Sequence, residues 1–139
     1  MKILQLSFGN GDIPIEMDSS NVIYTGTHDN DTTVGWFNNG GWKTNRHEGI
    51  NVVRERKQVL SILGSDGSEV HWDMIKLALE SPADIAIIPL QDILGLDSTA
   101  RMNTPGTVGQ NWEWRFDQGL LKPGLKERLL NLTISSGRT

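Results

Sequence analysis

Residues 84–92 read DIAIIPLQD, and this stretch does most to decide the fold. Its apolar run is short, continuous and rich in isoleucine, which is typical of a parallel strand buried on both faces. The helix-breaking pair Ser81-Pro82 precedes the run, and polar residues follow it. The sequence therefore predicts a buried strand at residues 84–89 within an α/β architecture.

The pattern on either side of this strand alternates between strands and helices. Strand-like runs lie at residues 1–8 and 21–25, and helical spacing of apolar residues covers about residues 46–63. A second helix capped by Ser68 is expected to end near Glu80, and a last helix to begin near Pro123. The longest loops follow the strands, as they do in α/β barrels.

Length and composition exclude several classes of protein. The 139 residues are too few for a complete (β/α)₈ barrel, which needs ~250. The absence of cysteine excludes disulfides and thiolate chemistry, and a net charge of −4 argues against a nucleic acid or anionic membrane partner. The longest apolar run, residues 85–90, is far shorter than a membrane span of ~20 residues. We expect a soluble, cytoplasmic protein.

Common cofactor and metal motifs do not fit. The glycines after residue 8 lack the third glycine of a dinucleotide loop, because Pro14 takes its place. Residues 29–31 resemble the start of a calcium loop, but position twelve is Gly40 rather than glutamate. No Gly-x-Ser-x-Gly elbow is present, and zinc-ligand spacing is missing among the histidines His28, His47 and His71. We expect no cofactor and no metal.

The segment at residues 24–32, YTGTHDNDT, places a histidine and carboxylates where a strand ends. One interpretation is a solvated turn, because aspartate and asparagine dominate turns. The other is a polar cluster that recognises a ligand rich in hydroxyl groups, with Asp29 accepting hydrogen bonds and His28 donating one. The residues alone leave both open.

Five tryptophans leave a similar choice. Trp72 has helical context and is expected in the core. Four others lie in polar or glycine-rich contexts, where an indole either fills a core or stacks on a sugar ring; these are Trp36, Trp42, Trp112 and Trp114.

Four blocks of the chain together resemble one family. Residues 24–36 resemble the seventh-strand segment of the 4-α-glucanotransferases, which are the amylomaltases or disproportionating enzymes of glycoside hydrolase family 77. Residues 87–96 resemble the eighth strand and its turn, and residues 100–107 and 111–115 resemble the loop that follows. Residues 1–8 resemble the sixth strand. The resemblance covers nearly the whole chain.

The resemblance implies an α-amylase-type (β/α)₈ barrel that transfers α-1,4-glucan segments to the 4-hydroxyl of another sugar with retention. It implies that Asp29 stabilises the transition state and that the ligands are α-1,4-glucans and maltooligosaccharides. Asp92, at the end of the eighth strand, is either structural or substrate-facing. The expected substrate-binding residues are His28, Asn103, Pro105, Trp36 and Asp92.

In the family, the nucleophilic aspartate follows strand four and the acid/base glutamate follows strand five, upstream of what residues 1–8 resemble. We therefore expect residues 1–139 to be the C-terminal part of a catalytic barrel, carrying strands 6 to 8 of a partial TIM barrel. We expect the chain to be inactive alone and to need the missing N-terminal part as a partner. The alternatives are a non-catalytic carbohydrate-binding remnant and a structural fragment without a ligand.

Overall fold

The computed structural model describes residues 1–10, 16–39 and 50–138. Its strands are β1 (Lys2–Ile3), β2 (Val22–Tyr24) and β3 (Ile85–Ile87), which form a sheet in the order β1-β2-β3. Both pairings are parallel, and Ile23 lies between Lys2 and Ala86 in the register. The carboxyl ends of all three strands consequently lie at one edge of the sheet, and the loops that follow them meet there.

Six helices accompany the sheet in the described ranges. They are α1 (Leu4–Asn10), α2 (Thr33–Asn39), α3 (Ile50–Leu63), α4 (Val70–Glu80), α5 (Leu90–Ile93) and α6 (Pro123–Ser135). Short 3₁₀ turns lie at Ser98–Ala100 and Gln118–Leu120. These helices confirm the predicted α/β alternation. None of them is long and apolar enough to cross a bilayer.

The first strand is much shorter than the sequence predicted. Only Lys2–Ile3 is extended, and the chain turns into helix α1 at Leu4. Leu4 and Phe8 are buried while Leu6 is half exposed. A strand would place all three side chains on one face, whereas a helix places residues four apart together and the residue between them elsewhere. The burial pattern therefore has the helical period.

Strand β3 has the predicted position but not the predicted cover on both faces. Ala86 packs against the core, while its neighbours Ile85 and Ile87 are 52% and 43% exposed. Successive side chains of a strand point to opposite faces, and α2 and α4 supply core residues on the Ala86 side. The expectation of a fully buried strand is wrong for this structure.

The predicted helix boundaries hold except at the start of α4. Helix α4 ends at Glu80 as expected, but its N-cap is Glu69 rather than Ser68, whose amide instead donates to Asp66 Oδ1 (2.9 Å). Helix α6 begins at the predicted Pro123, where a fixed φ suits the first helical turn. The start expected for α3 near residue 46 lies outside the described residues.

The core is built where α2 and α4 pack on the sheet. One cluster gathers apolar side chains from residues 4–83, and its buried members are Leu4, Phe8, Ile23, Trp36, Phe37, Val59, Val70, Met74, Ala78 and Ala83. A second cluster, around Trp72, Ile75 and Leu79, holds α6 against the outside of α4. This frame fixes the carboxyl edge of the sheet, where the candidate site lies.

Candidate functional site

Asp92 anchors the site through a buried carboxyl group. Its side chain is only 2% exposed. Oδ2 accepts a hydrogen bond from Thr25 Oγ1 (2.6 Å) at the end of β2, and Oδ1 accepts one from the Thr33 amide (2.7 Å) at the start of α2. Burial raises the pKa of Asp92, and the hydrogen bonds from Thr25 and Thr33 oppose that rise. Both carboxylate oxygens are thus used to hold the loop between β2 and α2.

Asp31 forms a second set of hydrogen bonds in the same loop between β2 and α2. Its Oδ2 accepts a hydrogen bond from Ser98 Oγ (2.7 Å), and its Oδ1 accepts one from the Thr32 amide (2.8 Å). The Asp31 carbonyl accepts a further bond from Gln5 Nε2 (3.0 Å). Gly35 gives the room for this approach, since a Cβ there would lie 2.3 Å from Ser98 Oγ. Asp31 therefore joins three segments that are distant in sequence.

A tight turn presents His28 and Asp29 to solvent. Asn30 Oδ1 accepts hydrogen bonds from the Thr27 amide (2.9 Å) and hydroxyl (2.7 Å), and the Asn30 amide donates to the Thr27 carbonyl (3.1 Å). The side chains of His28 and Asp29 are 58% and 52% exposed, with His28 Nε2 3.4 Å from Asp29 Oδ1. A solvated turn, one of the two interpretations of the sequence, is therefore present, and the side chains at its tip are exposed.

The structure brings Asp29 and Asn103 together, although 74 positions separate them. Asn103 Nδ2 donates to Asp29 Oδ1 (2.7 Å). Between them lies Arg101, whose Nη2 donates to the Asp29 carbonyl (2.8 Å) and whose Nε donates to the Asn103 carbonyl (2.9 Å). Two of the residues expected to bind substrate and the one expected to stabilise a transition state thus form one cluster: His28, Asp29 and Asn103.

Trp112 flanks this cluster with a half-exposed indole. Its ring centroid lies 5.0 Å from that of His28, and the side chain is 53% exposed. The backbone of Trp112 is left-handed (φ +64°), as is that of Gln110 (φ +57°), and the Trp112 amide donates to the Met102 carbonyl (2.7 Å). Left-handed backbone is costly for bulky residues and concentrates at ligand sites. The strained turn aims the indole at the cluster.

A cavity of about 160 Å³ opens between these loops. Its walls include His28, Asp31, Asp92, Arg101 and Trp112. In the described ranges, no three histidine, aspartate or glutamate side chains come together in a way that could hold a metal ion. The site offers carboxylates, an imidazole, a guanidinium and an aromatic face, which is the donor and acceptor set of a site for a polar ligand with C–H faces.

The remaining predicted site residues lie elsewhere. Trp36 is 3% exposed and packs beside Phe8 and Phe37 in the core, so its indole face is closed to a ligand here. Pro105 lies at the exposed turn formed when the Thr107 amide donates to the Thr104 carbonyl (3.2 Å). Trp42 is outside the described residues. Trp72 is in the core, as predicted.

Sequence reasoning gave Arg101 no role and did not separate Trp112 from the other loop tryptophans. For Arg101 a signal existed, because it is the single charged residue between Asp97 and Glu113. A lone cation in a neutral loop needs an acceptor, and main-chain carbonyls supply it here. For Trp112 the deciding feature is backbone conformation, which the sequence does not display.

The fold and the site define an α/β protein with a polar, aromatic-flanked cleft at the carboxyl edge of a parallel sheet. The sequence profile of the 4-alpha-glucanotransferase family, glycoside hydrolase family 77, matches residues 1–121. The chain therefore belongs to this family.

Its similarity to individual members extends over nearly all of the chain. It is 44% identical to the 4-alpha-glucanotransferase of Synechocystis sp. and 41% identical to the chloroplastic/amyloplastic enzyme of Arabidopsis thaliana, with 99% of this chain aligned in each case. The chain spans 26% and 23% of those relatives, or about a quarter of their length.

A solved structure is similar in fold. It is the amylomaltase from Streptococcus agalactiae in complex with acarbose, with a TM-score of 0.83 and 26% identity. The similarity covers 99% of this chain and 27% of that one.

Proposed function

We propose that this chain forms the carboxyl-edge part of a 4-alpha-glucanotransferase active site, within a partial (β/α)₈ barrel made of strands 6 to 8. The enzyme transfers α-1,4-glucan segments between maltooligosaccharides with retention of configuration. The cytoplasm is the proposed compartment; absence of cysteine fits a reducing environment, while the Arabidopsis relative is chloroplastic/amyloplastic by name.

One observation carries the proposal. Of the three carboxylates at this edge, Asp31 and Asp92 have both oxygens engaged by protein donors. Asp29 accepts one hydrogen bond, at Oδ1, and within the described residues no protein donor reaches its Oδ2. A half-exposed carboxylate with an open oxygen can accept hydrogen bonds from sugar hydroxyl groups. This is the role that we propose for Asp29 in the transition state.

The neighbours of Asp29 suit a sugar as the ligand. His28 and Asn103 offer polar groups, and the exposed indole of Trp112 offers a face for a sugar ring. Pro105 lies outside this cluster, in the exposed turn that follows Asn103, and we propose that it contacts the ligand from there. The cavity, at about 160 Å³, is smaller than the ~300–1,000 Å³ of pockets that bury drug-sized ligands, so it would hold only part of a glucan chain. We assign Trp36 to packing and Asp92 to anchoring, because both are buried.

The two carboxyls that do the covalent work are proposed to come from polypeptide outside residues 1–139. A retaining mechanism needs a nucleophile and an acid/base carboxyl ~5–5.5 Å apart across the scissile bond. Asp31 and Asp92 cannot serve, because their oxygens hold the loops. Residues 1–139 are therefore proposed to be inactive alone and to act with the N-terminal part of a barrel.

Activity tests this proposal. Residues 1–139 alone should release no glucose from maltotriose, whereas the protein completed with the rest of the barrel should form glucose and longer oligosaccharides. In the completed protein, Asp29→Asn should lower kcat far more than it raises KM, because the open oxygen acts in the transition state. Turnover by residues 1–139 alone would contradict the proposal, as would an equal loss in kcat and affinity.

A non-catalytic carbohydrate-binding role is the second candidate, and the exposed indole of Trp112 favours it. Tryptophan fluorescence of the chain should then change saturably with maltoheptaose, and Trp112→Leu should abolish the change. Trp72→Phe is the matched control, because Trp72 is buried on α4. Binding without transfer in the completed protein would favour this role over the enzyme.

A further inference from the structure

Arg101 is the group that joins the two loops of the site. Its guanidinium donates through Nη2 to the carbonyl of Asp29 (2.8 Å) and through Nε to the carbonyl of Asn103 (2.9 Å). Those same two residues are joined by the bond from Asn103 Nδ2 to Asp29 Oδ1 (2.7 Å). The three bonds close a ring in which the main chains are held by arginine and the side chains hold each other.

The side-chain bond alone is a weak device for this purpose. The Asp29 side chain is half exposed, so water competes for its oxygens, and holding two free side chains in one geometry costs conformational entropy. Fixing both main chains removes the additional entropy cost of ordering the two loops, so that only the side-chain rotamers remain to be fixed. A guanidinium suits the task because its donors are rigid and planar, whereas an ammonium is a compact point charge whose three donors rotate freely.

We propose that Arg101 is a positioning residue: by joining the main chains of Asp29 and Asn103, it holds the Asn103 amide on Oδ1 and leaves Oδ2 of Asp29 turned to the ligand. In the described ranges, Arg101 forms no ion pair with a carboxylate, so it fixes Asp29 without occupying the open oxygen. The inference rests on the proposed function for its consequence in binding, but the geometry itself can be tested without a sugar.

The first experiment follows the Asn103 side-chain amide by nuclear magnetic resonance in the full chain. In the wild type this amide should show a dispersed shift and slowed exchange, and Arg101→Met should move it toward the value of a free asparagine. Arg101→Lys, which keeps the positive charge, should also fail to restore the wild-type shift. An Asn103 signal that is unchanged in both variants would overturn the proposal.

The second experiment measures affinity for maltoheptaose beside thermal stability. Arg101→Lys should weaken binding about tenfold with a small change in Tm, since about one directed hydrogen bond is lost at the site. Arg138→Lys is the matched control, because Arg138 also donates to main-chain carbonyls but lies beside α4 and α6. It should lower Tm more and leave the affinity unchanged.

These outcomes separate the two proposals. If the wild type binds no glucan while the Asn103 signal responds to Arg101, the proposed function fails and the positioning role stands. If the wild type binds glucan and both Arg101 variants bind it equally well, the positioning role fails. A parallel loss of Tm and affinity in Arg138→Lys would also contradict it, because the effect of Arg101 would then reflect general stability.

Discussion

The carboxyl edge of the sheet and the outer layer formed by α4 and α6 are both fastened by arginine, with different results. At the edge, Arg101 joins the carbonyls of two loops that carry exposed polar side chains. In the outer layer, Arg138 donates to the carbonyls of Leu79 (2.6 Å), Ser81 (2.9 Å) and Asp84 (3.2 Å), where helix α4 ends and the chain turns into β3.

The two arginines differ in the carbonyl groups that they bind: Arg138 binds carbonyls at a helix end, and Arg101 binds carbonyls in two loops. The last carbonyls of a helix have no partner within the helix, so a donor placed there satisfies groups that folding would otherwise leave unpaired. Arg138 does this at the end of α4 and thereby closes the outer layer. Arg101 fixes two loops whose side chains remain open to solvent. The same chemistry gives stability in one region and side-chain placement in the other.

The largest effect that tests this comparison is expected from Arg138→Ala. It should lower the free energy of unfolding by about 2–4 kcal/mol, because several hydrogen bonds from a charged donor are lost at partly buried carbonyls. Arg101→Ala should cost less than half as much in urea denaturation. An equal or greater loss of unfolding free energy for Arg101→Ala would contradict the assignment of a stabilising role to Arg138 and a positioning role to Arg101.

A smaller effect is expected from Gly35→Ala, which tests how tightly the edge is packed. The added Cβ would lie 2.3 Å from Ser98 Oγ and 2.6 Å from Asp31 Oδ1, so the tie between these two residues must open. Overpacking of this kind costs about 1–3 kcal/mol in unfolding free energy. The matched control is Gly124→Ala in the first turn of α6, where a Cβ meets nothing within 4 Å; it should be neutral or stabilising. An unchanged unfolding free energy for Gly35→Ala would mean that the contacts of Ser98 and Asp31 with Gly35 can shift without cost.

The outer layer and the core were largely predictable from sequence, because apolar periodicity encodes them. Helix α6 begins at Pro123, and Trp72 is buried on α4, as expected. Periodicity failed at residues 1–8, where a short run suits a strand or a helix equally and burial of Leu4 and Phe8 decided for the helix.

The edge was predictable in its residue types but not in its pairings. Motif resemblance selected His28, Asp29 and Asn103, which the structure brings together. It did not separate the buried Trp36 from the exposed Trp112, because both tryptophans have polar or glycine-rich sequence neighbours. Only the backbone conformation distinguishes them. Contacts between residues 74 positions apart depend on tertiary packing, which local sequence patterns do not encode.

The smallest effect is expected in the pH dependence of stability, and it concerns the buried carboxyl group of Asp92 at the carboxyl edge of the sheet. Burial raises the folded-state pKa of Asp92 above its ordinary value, so on raising the pH the unfolded chain loses this proton first. The stability contributed by Asp92 is therefore fully present below the ordinary aspartate pKa and is lost as the pH rises through the raised folded value. Asp92→Asn keeps an acceptor for the Thr33 amide and removes the charge.

Urea unfolding between pH 3 and pH 8, roughly the range where carboxyl and histidine groups titrate, measures this effect. The free energy of unfolding of the wild type, relative to that of Asp92→Asn, should fall as the pH rises. Asp97→Asn provides a control of opposite sign. Hydrogen bonds from Thr99 lower the pKa of Asp97, so the wild type should gain stability over that variant with rising pH. A wild-type advantage over Asp92→Asn that grows with pH would show that Asp92 is held as a stabilised carboxylate. The carboxyl edge would then depend on a charged group, as the end of α4 depends on the charged guanidinium of Arg138 and its hydrogen bonds.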